Sequence, residues 1–514
     1  MVWTSMQRVG LVAVVTLPLV GVTGGQLLRS STVRVALSWV GAASALMVAV
    51  LVAAHGPAAI SGGHGLGMVA TPVSALLLLL VAGVGALVQS YSARYLQGSP
   101  RSDRFTVWAG VLVAAMALVA GSEYLTGLVL GWVAAGVAFS AAMNCRPDLP
   151  GVAVAVRAAR GAMAVGDGCL VAAAAVIWWR AGDVRLGSPH YLIVVSGRLG
   201  AWRGVVAVLV VAAALARCGQ WPFRRWLPST VSAPTPTCAV LHAGVINGGG
   251  VLLVRLGPLV TWRPAMAALL VVAGSTAVWA GAVTSRQSDV KGQLAYSTMA
   301  QMGFMLAECA VGLYAAAVIH LVGHGLYKAS LFFSSGSAVP RRGRPALPGG
   351  GRRLSGAAVA GLVAAAVTLP GLMAGDGPVL SILAVLTAAP LGAAFWAALP
   401  DGPWTGRRKW IVMLLLAGGV YGALVDVLAH FLASGVATAG STLGQWWLAG
   451  IVAGAAVASQ VAARSSWAPA VRAHLLDAGA APLGWYGRSQ PRLSGPGSVF
   501  AEPARALVME VEAA

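Results

Sequence analysis

Charge is the scarcest ingredient of this 514-residue chain: Asp, Glu, Lys and Arg together supply 9% of it, and only 14 residues are acidic. Lysine occurs just three times, at Lys291, Lys328 and Lys409. An ordinary soluble domain carries about a quarter charged residues, so a soluble globular fold is excluded at the outset. Cysteine is sparse too. Cys145, Cys169, Cys218, Cys238 and Cys309 are scattered, odd in number and form no CxxC pair, which removes a disulfide framework, an iron–sulfur site and a zinc site. A nucleophile elbow, a phosphate loop and an HExxH helix are all missing. The sequence therefore makes no case for an enzyme, and no catalytic residue, metal or cofactor is expected on this chain.

Apolar sequence fills the space. The chain is 58% hydrophobic with a mean hydropathy of +0.81. Runs of roughly 18 residues or more recur from Val9 to Val461, roughly fourteen in all, and each is long enough to cross a hydrocarbon core as helix. An all-α polytopic protein of the cell membrane is expected. The first run, Val9 to Leu28, has no small-residue cleavage motif and is followed at once by another span, so it reads as a retained helix and not as a signal peptide.

The net charge of +20 would suggest nucleic acid in a soluble protein. Here the arginines sit in connections between apolar runs, where anionic headgroups and the positive-inside rule account for them, and nucleic acid is set aside as a partner. Arg29 to Arg34, Arg94 to Arg104 and Arg146 to Arg160 are basic, whereas His55 to Gly67 has no Lys or Arg. This alternation puts the N-terminus on the outer side. Arg180 to Arg203 breaks the rule once.

Four regions follow: N-terminal membrane helices (1–90), a core (91–340), C-terminal membrane helices (341–463) and a Pro/Gly-rich tail (464–514) expected to be poorly ordered. A helix is expected at Met68–Gln89 and, within the core, at Phe105–Gly121, Tyr124–Met143 and Ala162–Trp179, and an apolar helix from Val205 reaches Arg217. The next stretch, to Gly250, contains Pro222, Pro228, Pro234 and Pro236. These cannot share one continuous helix. A helix broken at membrane depth points to an ion pathway, because freed backbone groups must be buried in protein or line a cavity; a basic loop between two ordinary helices is the alternative.

Lys328 lies inside an apolar run, HLVGHGLYKASLFF, and an intramembrane ionisable residue is a functional candidate. Lysine can release a proton on burial, whereas arginine stays charged. His320, His324 and Lys328 recur every four residues, stacking along one helix face. Two imidazoles and an amine in file suit a proton relay; a polar seam that binds a neighbouring helix is the plainer reading. Around the break stand Arg217 as a fixed charge, His242 as a relay residue or an ordinary core histidine, and Asn247, Pro234 and Pro236 as gating candidates. Asp167 is the carboxylate most expected to act, unless it only starts or packs a helix. Glu123, Glu308, Asp376 and Asp426 also lie in or near apolar runs, and Glu308 and Asp376 are further relay candidates.

The stretch GQWPFRRWLPSTVSAPTPTCAVLHAG, followed by DVKGQLAYSTMAQMGFM and HLVGHGLYKASLFF, resembles the signatures of the antiporter-like, proton-conducting membrane subunits of complex I (subunit 5) and Mrp-type antiporters. That resemblance implies two inverted five-helix repeats, each with a broken helix, and a half-channel in each repeat. It places Arg217 where the family has a lysine on its seventh helix, His242 at the eighth-helix histidine and Lys328 at the central lysine. His320 and His324 match the two preceding histidines, and Asp167 the acidic residue of the sixth helix. Three departures put the first half-channel in doubt. Trp132-Val133 stands where the family has Trp-Glu, removing the acidic partner of the first charge pair; Arg217 replaces a titratable lysine; and Asp376 stands near a usual lysine.

LHAGVINGGGVLLVRL is similar to the DabB branch, as is the lack of a long lateral helix after Ala463. The branch implies a membrane subunit of an energy-coupled inorganic carbon (CO2/bicarbonate) accumulation complex, conducting protons or another cation to drive a large soluble DabA-like subunit that carries the zinc. A proton- or sodium-translocating subunit of a complex I-like or Mrp-type assembly is the alternative.

Overall fold

The computed structural model describes residues 2–335, excepting 28–29, 62–64, 100, 285–286 and 288, together with 423–424, 427–433 and 435. Asp376 and Asp426 lie outside the described residues, as does most of the chain beyond 335. Ten segments among the described residues are long and apolar enough to cross a membrane, so the chain is a multi-pass membrane protein.

Two N-terminal helices, α1 (Val2–Leu27) and α2 (Ser31–His55), lead into a small antiparallel hairpin, β1 (Ala58–Ser61) and β2 (Gly67–Ala70). This hairpin departs from the all-α expectation, and it shortens the helix expected from Met68. The helix α3 (Pro72–Tyr95) starts four residues later because Thr71 and Ser74 form a reciprocal capping box and Pro72 sits where its missing N–H costs nothing. Then come α4 (Ser102–Gly121), α5 (Leu125–Met143) and α6 (Val152–Ala181). With 30 residues, α6 is roughly 45 Å long. It therefore takes in Arg157 and Arg160, which the sequence assigns to a loop.

A short α7 (Pro189–Arg198) is followed by α8 (Arg203–Arg217). The proline-rich stretch is interrupted, but not as expected. A connection, the four-residue α9 (Trp226–Ser229) and a 3-10 turn bring the chain to α10 (Thr235–Ala243). Pro234 is the N-cap of α10 and Pro236 lies in its first turn; both start the helix and do not break it. The discontinuity inside the crossing segment falls instead at Gly244, with φ −126° and ψ −78°, and a 3-10 turn at Val245–Asn247 precedes α11 (Gly248–Leu256). This split crossing, residues 235–259, is the most deeply buried of the ten.

Three antiparallel helices complete the described core: α12 (Arg263–Thr284), α13 (Val290–Ala310) and α14 (Tyr314–Ser335). At 21 residues α13 is as long as its neighbours, roughly 31 Å. Only its polarity keeps it from the ten.

The two ends of the bundle differ. At one, the hairpin bridges Met68 to Ser122, and Tyr124 bridges Arg185. Buried Arg255 donates there to the carbonyls of Ala120 and Ser122, closing the C-terminus of α4 with a cation where the helix dipole favours one. The opposite end carries Arg94, Arg101, Arg104, Arg146 and Lys291, the last donating to the Ala233 carbonyl at the entry to α10 (3.2 Å).

Candidate functional site

The apolar helix α8 delivers one charge to the interior, Arg217 in its last turn, 2% exposed. One guanidinium nitrogen, Nη2, donates to Asp167 Oδ1 (2.9 Å) and to the Trp132 carbonyl (3.0 Å), and the group lies 4.1 Å from the Trp132 ring centroid. Glycine makes the room. A Cβ at Gly136 would stand 3.2 Å from Asp167 Oδ2, and one at Gly248 would stand 3.5 Å from Arg217 Cγ. A buried cation must be met by an acid or by carbonyl and hydroxyl oxygens, and for Arg217 it is α6 that supplies the acid, from the middle of its length. The expectation that Val133 leaves the first charge without an acidic partner is thus corrected: Asp167 is that partner.

A second polar line runs between α13 and α14. Lys328, 1% exposed, donates from Nζ to Ser297 Oγ (2.9 Å) and to the Leu294 carbonyl (3.4 Å). One turn back, His324 Nδ1 meets Gln301 Oε1 (2.5 Å). A further turn back, His320 Nδ1 meets Glu308 Oε2 (3.1 Å), with Glu308 fully buried. Residue numbers rise on α14 as they fall on α13, the register of an antiparallel pair, and positions 294, 297, 301 and 308 share one face of α13. The His320 and His324 ring centroids are 6.4 Å apart. Each member of the file expected on α14 therefore has its own partner on α13.

His242 joins this region from α10. Its ring stacks on Phe332 of α14 at 4.6 Å and 16°. Asn247 donates to the Ala243 carbonyl (2.9 Å), taking up a backbone acceptor at the break. Among the described residues His242 Nδ1 and Asn247 Oδ1 are buried without a hydrogen-bond partner. Pro234 and Pro236 stand at the basic end, away from the break itself. The candidates thus fall into two groups, Arg217 with Asp167 on one side and His242, His320, His324, Lys328 and Glu308 on the other.

Ser297 and Gln301 escape a search for titratable groups, as do Trp132 and Phe332. The helical spacing of Ser297, Gln301 and Glu308 was the signal for the first two. Chemically, the groups are unlike. Arg217 is a permanent charge matched by a carboxylate, whereas Lys328 is held by a hydroxyl and a carbonyl, so proton loss there strands no counter-charge.

Residues 122–347 match the family model for the membrane region of NADH:quinone oxidoreductase/Mrp antiporter subunits, and residues 64–106 match that for the N-terminus of complex I chain 5. The chain belongs to this antiporter-like membrane-subunit family. Among curated members it is 34% identical over 269 residues to a probable inorganic carbon transporter subunit DabB of Hydrogenovibrio crunogenus, covering 52% of each chain. To the protein of the same description from Bacillus subtilis it is 35% identical over 275 residues, 52% of this chain and 53% of that one. The chain thus spans about half the length of the curated antiporter-like relatives it matches. The fold is shared with the Mrp complex of Dietzia sp. DQ12-45-1b, with a TM-score of 0.56 at 23% identity over 98% of this chain and 66% of that one.

Proposed function

We propose that this chain is the membrane subunit of an energy-coupled inorganic carbon accumulation complex, passing protons through its interior to drive a large soluble zinc-bearing subunit of the DabA type. The observation that carries the conducting role is the file His320, His324 and Lys328, each seated on a polar partner of α13 within the membrane. Intramembrane ionisable residues in contact with one another mark ion paths, and histidine and lysine are side chains that can exchange protons. The link to inorganic carbon rests on the DabB-type relatives. On this reading the N-terminus faces outward, no cofactor belongs to this chain, and the zinc sits on the partner.

The test is growth in ambient air of a bacterium lacking carbonic anhydrase, expressing this chain with and without its soluble partner. Rescue that needs both proteins and is lost with a protonophore supports the proposal. Failure to rescue, with both proteins found assembled in the membrane, favours the second reading, a proton- or sodium-translocating subunit of a complex I-like or Mrp-type assembly. That reading is favoured by the family models and the Mrp fold likeness.

A further inference from the structure

A cleft of about 880 Å³ opens at the basic end, its lining including Tyr95, Gln97, Arg101, Arg104, Arg146 and Asp148. Pro234, the cap of the fully buried α10, is one of its lining residues. Tyr95 Oη, on its wall, is 3.5 Å from Thr235 Oγ1 in the first turn of α10, so the cleft touches the helix that carries His242.

Its electrostatics are one-sided. Arg146 is occupied by Asp148 through Nε (2.9 and 3.0 Å) and Nη2 (2.7 Å). The nearby Asp103 is taken by Arg34 (3.1 Å). No ion pair is formed by Arg101 or Arg104 among the described residues, and both are exposed. Arg101 is the N-cap of α4 and makes no side-chain cap hydrogen bond, so the first turn of α4 opens toward the same end. The volume lies in the range of sites that take a whole ligand and exceeds what a single small anion fills.

We infer that this cleft is the docking site for an acidic peptide segment of the soluble partner, whose carboxylates pair with Arg101 and Arg104. The inference rests on the proposed function for the existence of that partner and adds the face and the chemistry of the contact. Guanidinium forks bind carboxylates bidentately, and complementary charge fixes register and partner choice. Docking here places the partner directly over the entry to α10.

The experiment uses the full chain co-expressed with the DabA-type subunit and purified in detergent. A photo-crosslinking residue in place of Gln97 is expected to capture the soluble subunit at an acidic stretch identified by mass spectrometry. Arg101→Glu with Arg104→Glu is expected to weaken the association by about tenfold or more, Arg101→Lys with Arg104→Lys to keep most of it, and Arg180→Glu with Arg198→Glu, at the other end, to leave it unchanged. A complex that forms equally well with the reversed arginines overturns the cleft and leaves the proposed function standing. Crosslinking to the chain's own acidic C-terminus, which contains Glu502, Glu510 and Glu512, or to lipid alone also overturns it. If the unaltered chain binds no soluble subunit, both readings fall together.

Discussion

The two charged regions in the interior solve the same problem in opposite ways. At α6 and α8 a permanent cation is neutralised by one carboxylate and covered by an indole face. Between α13 and α14, a lysine and two histidines are spread over three turns and held by a hydroxyl, a carbonyl, an amide and a single acid. The first arrangement is closed and has one favourable charge state. The second is graded: Lys328 and His324 can change protonation without leaving a full opposite charge alone, and only His320 shares an acid, Glu308. On the proposed reading, the first region anchors the core and the second moves protons.

The largest effect is expected at Lys328. Lys328→Ala should abolish proton flux in proteoliposomes while the chain still assembles, and Lys328→Arg should fail to restore it, because arginine keeps the charge but not the titration. Equal flux in both variants and the unaltered chain would break the contrast between the regions.

Next in size is the anchor. Asp167→Asn strands a buried guanidinium and should cost about 3–5 kcal/mol of stability, read as a lowered melting temperature in detergent. Replacing both partners, Asp167→Leu with Arg217→Leu, should recover most of that loss and keep some flux; complete loss of flux in a well-folded double variant would give the pair a share in conduction. A smaller loss, about 1–3 kcal/mol, is expected for Gly136→Ala, whose new methyl crowds the Asp167 carboxylate. Smaller still, Gln301→Ala removes one hydrogen bond to His324, about 1 kcal/mol, and should slow flux severalfold without altering assembly.

How much of this was legible beforehand depended on the distance along the chain over which each signal acts. The file on α14 was readable because a four-residue spacing stacks side chains on any helix. Its lining on α13 was not singled out, since Ser297 and Gln301 carry no charge. The pairing of Arg217 with Asp167 joins residues fifty positions apart, which no periodicity relates, so each was named without the other. Prolines drew attention to residues 217–250, yet the kink in the crossing is at Gly244: proline is at home in a first turn, and a glycine inside an apolar run carries no warning of its own. The hairpin at 58–70 escaped because four-residue strands between long apolar helices leave little alternation to detect.

The polarity of α13 has a consequence for how the protein is made. With Lys291, Gln293, Ser297, Gln301 and Glu308 along its length, this helix gains too little from lipid to partition into the bilayer on its own. Three of these groups, Ser297, Gln301 and Glu308, are met by α14, which follows it after a tight connection. The two are therefore expected to leave the translocation machinery as one unit, α13 waiting at the protein-lined exit until α14 has been synthesised. In an insertion assay, α13 alone should pass through the membrane, whereas α13 joined to α14 should stay.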